Sequence, residues 1–236
     1  MGKPARAHSR PSGKKAITPQ LARNLPVNSQ AFVTFFHSPH SRSGITRSLL
    51  EELNAPYDLV VLDLQHGEQR TSDYLAINPM GKVPAIRHHG VLITEQPAVM
   101  LYLADAFPDA GLAPTKDDPL RGAYLRWMVF YGSCFEPALL DRSFERAPAP
   151  QMACGYGDYD SVLNTLTAQL ERGPWLLGER FTAADVLWGS ALKWALMFKL
   201  VPDMEVLRGY AERVAARPAM RRAATLDEEL AVRQAA

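Results

Sequence analysis

Cysteine is nearly missing from this chain: two in 236 residues, Cys134 and Cys154, at no regular spacing. Two such thiols make neither a disulfide framework nor a zinc set, so a reducing compartment, the cytoplasm, is expected. Long apolar runs are missing too. The most apolar stretch, Trp188 to Val201, is interrupted by Lys193 and Lys199 and falls short of the roughly 18 uninterrupted apolar residues that suggest a membrane span. Acidic residues are absent from residues 1–30, which carry six basic side chains, so the remaining 206 residues hold 20 basic and 25 acidic groups. A body of net negative charge is not that of a nucleic-acid binder. The proline-containing basic leader has too little apolar surface to offset its ordering entropy and reads as disordered. It lacks the apolar segment of a secretory signal, and its acid-free composition bears only a faint likeness to a transit peptide.

What is there divides the chain in two. Residues 31–107 alternate strand and helix signals: AFVTFF, then Ile45, Leu49, Leu50 and Leu53 at helical spacing, then YDLVVLD. A short helix, SDYLAIN, follows, and VPAIR and VLIT flank His88-His89-Gly90 as a hairpin. A further helix is expected over Pro97 to Phe107 with Gln96 as its cap. The order βαβαββα is that of a thioredoxin-like domain. Residues 108–118, PDAGLAPTKDD, read as a linker. From Pro119 to residue 236 every pattern is helical: one long segment to Arg146, then helices over 158–172 and 182–200, and two shorter ones. Thr182 and Asp185 have the spacing of a capping box. The expected fold class is thus α/β followed by an all-α domain.

Two adjacent motifs carry most of the chemical information, NPMGKVPAI at 78–86 and TEQPAVMLYL at 94–103. A proline that enters a strand in the cis form turns the preceding N–H and C=O outward, where they can pair with an extended peptide as if it were another strand. A helix N-terminus offers unpaired N–H groups and partial positive charge to a carboxylate, and an acid beside it suits an ammonium. The bland readings are a turn before an edge strand, and a capping residue next to a solvated acid.

With these motifs and the GERFTAAD helix start, the chain resembles the cytosolic glutathione S-transferases over about 200 residues from Phe32 onward. The resemblance implies glutathione as co-substrate, an all-helical domain supplying a pocket for an apolar electrophile, and a homodimer. It implies that Val83, before Pro84, bonds the cysteinyl backbone of glutathione, that Glu95 and Gln96 hold the γ-glutamyl end, and that Lys82 pairs with the glycyl carboxylate. Gln96 stands where the family usually has serine.

The catalytic group should come from the turn FHSPHSRSGITRS. A free thiol of pKa near 8.5 is only about 3% ionised at pH 7, and a hydroxyl hydrogen bond at a helix start can lower that pKa. Ser41 is the first candidate and Ser43 the second, with simple helix capping as the alternative. No cysteine lies between residues 31 and 133, so the expected type is bacterial and serine-dependent, and cysteine-based thiol transfer is disfavoured. Among the aromatics of the helix after Pro119, Tyr124, Trp127 and Tyr131 are expected to line the second-substrate pocket, whereas Trp194 and Phe198 read as core. His37, His40, His88 and His89 read as exposed turn residues, with no metal site. The expected activity is conjugation of glutathione to electrophiles. The alternatives are a non-catalytic binding or regulatory module, or glutathione-dependent peroxidase or isomerase chemistry.

Overall fold

The computed structural model describes residues 33–147 and 149–235; the basic leader lies outside them, as do residues 31 and 32. Four strands form one mixed sheet in the order β2-β1-β3-β4. β1 (Val33–His37) runs parallel to β2 (Tyr57–Val61) and antiparallel to β3 (Ala85–His88), which in turn pairs with β4 (Val91–Ile93). The β-branched and aromatic side chains of β1 explain its central place, since all but Thr34 are buried. Helices α1 (Ser43–Glu52), α2 (Ser72–Ile77) and α3 (Gln96–Ala106) complete the thioredoxin-like part.

The rest is helical: α4 (Arg121–Phe130), α5 (Glu136–Ser143), α6 (Tyr159–Leu170), α7 (Ala183–Met197), α8 (Glu205–Ala215) and α9 (Pro218–Ala235). The long helix expected from Pro119 is broken. Residues Tyr131–Phe135 form a π-turn between α4 and α5. Pro137 accounts for it, because its ring and missing N–H forbid an ordinary bond to the carbonyl four residues back. The closing helix, α9, was expected to be short but runs 18 residues.

The capping box at α7 forms, and Asp185 does more than cap. Wholly buried, it accepts from the N–H groups of Thr182 and Leu176 and from the hydroxyl of Tyr210, each at 2.8 Å. Burial pushes this carboxyl up even though four hydrogen bonds oppose the shift. It thereby ties α7, α8 and the loop before α7 into one unit. No helix among the described residues is long and apolar enough to cross a membrane.

Candidate active site

Three segments meet near the end of β1. Phe36 lies opposite Ala85, so the Val83–Pro84 step falls beside the turn that leaves β1 at His37. That step is a cis peptide. Tyr74 and Asn78 hold the neighbouring Lys82 carbonyl with bonds of 2.7 and 2.9 Å, while the N–H and C=O of Val83 take no hydrogen-bond partner among the described residues. Burial pushes the Tyr74 phenol up to about 12, which keeps it a neutral donor. Gly81 is required in this turn. Its φ is +58°, and a Cβ there would lie 2.6 Å from the carbonyl oxygen of Gln69. The side chain of Lys82 is exposed.

The second segment is the start of α3. Glu95, not Gln96, occupies the cap position, with φ +65° and an exposed side chain. Such a backbone disfavours any residue with a Cβ, and strain of this kind gathers at ligand sites. Gln96 is the first helical residue, and its side chain turns inward: Nε2 donates to Thr46 of α1 at 3.0 Å, and Oε1 is buried with no partner among the described residues. The expectation that the Gln96 amide reaches a ligand carboxylate is therefore corrected. The N–H groups of Gln96 and Ala98 at this helix start take no partner among the described residues, and Pro97 between them has none to offer.

The third segment is the turn into α1. Ser43 is wholly buried, and its Oγ accepts the N–H of Ser38 at 3.1 Å and lies 2.8 Å from His37 Nδ1. Ser41 is half-buried; its hydroxyl donates to the Ser38 carbonyl at 2.8 Å and lies 2.7 Å from Ser43 Oγ, and it accepts the N–H of Ser43 at 3.2 Å. Of the two candidate serines, only Ser41 faces the adjoining cavity.

That cavity, about 490 Å³, opens between the turn into α1 and the helical part. Tyr131 and Phe135 of the π-turn, Trp194 of α7, Phe198 just after it, and Asp227 of α9 line it. Arg42 enters from the turn, ion-paired with Glu136 and 5.7 Å from the centre of the Trp194 ring. Burial pushes the Tyr131 phenol far up, with nearby Glu136 adding to the effect. The cavity has mostly apolar walls, with the Ser41 hydroxyl and the charged Arg42, Glu136, Lys193, Arg221 and Asp227 among them. It suits an aromatic or aliphatic guest.

Several expectations change here. Tyr124 and Trp127 do not line the cavity; they are buried on the core face of α4, where Trp127 offers its carbonyl to Trp188 Nε1 at 3.0 Å. Trp194 and Phe198, read as core, are 40% and 55% exposed and form part of the cavity wall instead. His37 and His88 are buried rather than exposed. Val83, Pro84, Glu95 and Gln96 lie outside the cavity's lining, whereas Ser41 and Tyr131 belong to it. No group of three metal-ligating side chains occurs among the described residues.

Comparison with known proteins follows the same division. Residues 32–105 match the family model for the glutathione S-transferase N-terminal domain, and residues 157–218 match that for the C-terminal domain. The chain is 28% identical to glutathione S-transferase GstA of Escherichia coli O157:H7, over 78% of this chain and 92% of the relative. It is 30% identical to glutathione S-transferase 2 of Schizosaccharomyces pombe, over 76% and 87%. Among solved structures, a sphingomonad glutathione S-transferase complexed with glutathione superposes with a TM-score of 0.67 at 32% identity, over 83% of this chain and 98% of that one.

Proposed function

The chain belongs to the glutathione S-transferase family, and from that premise we propose that it conjugates glutathione to apolar electrophiles through a serine-stabilised thiolate. In this reading the cysteinyl backbone of glutathione pairs with the open N–H and C=O of Val83, which Pro84 turns outward. The γ-glutamyl ammonium meets Glu95, and its carboxylate meets the backbone amides that begin at Gln96. Lys82 pairs with the glycyl carboxylate. The thiol then reaches Ser41, whose hydroxyl donates to the sulfur as it ionises. Ser43 supports Ser41 from behind and does not touch the ligand. The electrophile occupies the cavity beside Tyr131, Trp194 and Phe198. The protein acts as a cytoplasmic homodimer.

One observation carries the reading. Ser41 lines the cavity and bonds the carbonyl of Ser38, in the turn that follows β1 opposite the Val83–Pro84 step, which supports one hydroxyl serving both a thiol held at Val83 and a guest in the cavity. A charge-assisted hydrogen bond is worth about 1.5–3 kcal/mol, enough to lower a thiol pKa by one to two units. Holding the partners together supplies much of the remaining acceleration. The test is a conjugation assay with a chloronitrobenzene-type electrophile, paired with calorimetry at millimolar glutathione. Turnover with saturable binding is expected. Absence of both contradicts the proposal.

A further inference from the structure

Ser41 begins a chain of polar contacts that runs through a buried imidazole to Asp227, and both of its ends line the cavity. Its Oγ lies 2.7 Å from Ser43 Oγ, and Ser43 Oγ lies 2.8 Å from His37 Nδ1. His37 Nε2 in turn lies 3.1 Å from Asp227 Oδ1, within ion-pair reach though without hydrogen-bond geometry. Ser43 and His37 are wholly buried. The chain joins the end of β1, the turn into α1, and α9. Helix capping needs only one of the serines and gives no reason for a histidine backed by an aspartate.

We propose that these four residues form a proton relay that takes the thiol proton of bound glutathione inward to His37; the inference rests on the reading of Ser41 given above. The negative charge of Asp227 beside Nε2 favours the tautomer with hydrogen on that nitrogen, which leaves Nδ1 free to accept from Ser43. When the thiol arrives, its proton passes to Ser41 Oγ, the Ser41 hydrogen passes to Ser43 Oγ, and the Ser43 hydrogen passes to His37 Nδ1. One S–H bond breaks, one N–H bond forms, and each serine keeps one hydrogen. The products are a thiolate and an imidazolium. All the hydrogen bonds between sulfur and ring now point the other way, so Ser41 ends by donating to the thiolate.

This extends the logic of a serine–histidine–aspartate triad by one hydroxyl. The charged groups against the ring are Asp227 and Arg47, whose guanidinium holds the same Asp227 oxygen at 2.9 Å. The Ser38 carbonyl, 2.8 Å from Ser41 Oγ and 3.1 Å from Ser43 Oγ, is the resting acceptor that the relay leaves behind. His37 touches no ligand. It is a positioning residue that acts through the two serines.

Proton counting tests this directly. Glutathione binding is measured calorimetrically at about pH 7.5, where a free thiol is mostly protonated. Buffers of different ionisation enthalpy report the protons released, and ultraviolet absorbance on the same samples reports the thiolate formed. The wild type should form thiolate with almost no release, and His37→Gln should release about one proton for each thiolate it still forms. A wild type that forms thiolate and releases about one proton for each overturns the relay while leaving the Ser41 hydrogen bond standing. So does a His37→Gln protein that forms thiolate without release. A wild type that forms no thiolate overturns the reading of the site and the relay with it. If His37→Gln fails to fold, the wild-type count alone decides.

Discussion

At the scale of single residues, the candidate site is a set of side chains whose surroundings set their tasks. Glu95 illustrates the difference between a structural and a functional residue. Its φ of +65° would suit glycine better, and its side chain is exposed, its one side-chain hydrogen bond among the described residues a 3.4 Å bond from neighbouring Thr94. Glu95→Gly should leave stability within about 1 kcal/mol of the wild type, because relief of strain offsets the greater freedom of the unfolded chain. Its glutathione affinity should fall at least about tenfold, the loss of one charge-assisted contact. Denaturant titration and calorimetry check both halves. A variant that loses stability yet keeps affinity contradicts the role given to Glu95. The Val83–Pro84 motif was legible in the sequence because its signal is local, a proline at a strand entrance. The inward turn of Gln96 was not, because it depends on Thr46, 50 residues away.

Between elements, close packing decides what the sequence leaves ambiguous. Gly189 on α7 meets α8 so tightly that a Cβ there would lie 2.5 Å from the Cβ of Val214. Gly189→Ala should therefore destabilise the protein by about 1–3 kcal/mol, read as a lower urea midpoint with an unchanged slope. The same logic explains why the aromatics were misassigned. Tyr124, Trp127 and Tyr131 share one helical face in the sequence, but only Tyr131, at the end of that face where the π-turn begins, reaches the cavity. Trp194 and Phe198, four residues apart, have the spacing of a buried face. They lie near the end of α7, where the packed part of the helix gives way to the cavity. Element order was readable from periodicity. Which face meets protein and which meets a cavity was not.

Across the whole molecule, the feature with no local signal is the return of α9 onto α1. It brings Asp227 to His37 and Arg47, 190 and 180 residues away in sequence, which no pattern in either segment announces. Burial alone would push the Asp227 carboxyl up, but the hydrogen bonds and charges of His37 and Arg47 outweigh it and hold it below its ordinary value. A carboxyl whose pKa is depressed on folding adds stability that is present above its unfolded pKa of about 4 and is lost as pH falls through the folded value. Acid unfolding of the wild type should therefore steepen below about pH 4, and Asp227→Asn should be less stable at neutral pH and lose less on acidification. Urea midpoints across that range check the sign. A variant that matches the wild type at every pH contradicts it.

The central claim is that Ser41 stabilises the thiolate of glutathione held on the Val83 edge. The most direct measurement is the ultraviolet difference spectrum of the bound thiol, titrated against pH in the wild type and in Ser41→Ala. The account predicts a thiolate band at neutral pH in the wild type, and a thiol pKa one to two units higher in the variant, as expected for one lost charge-assisted hydrogen bond of about 1.5–3 kcal/mol. Equal thiol pKa values in the two proteins, at equal occupancy, would contradict it.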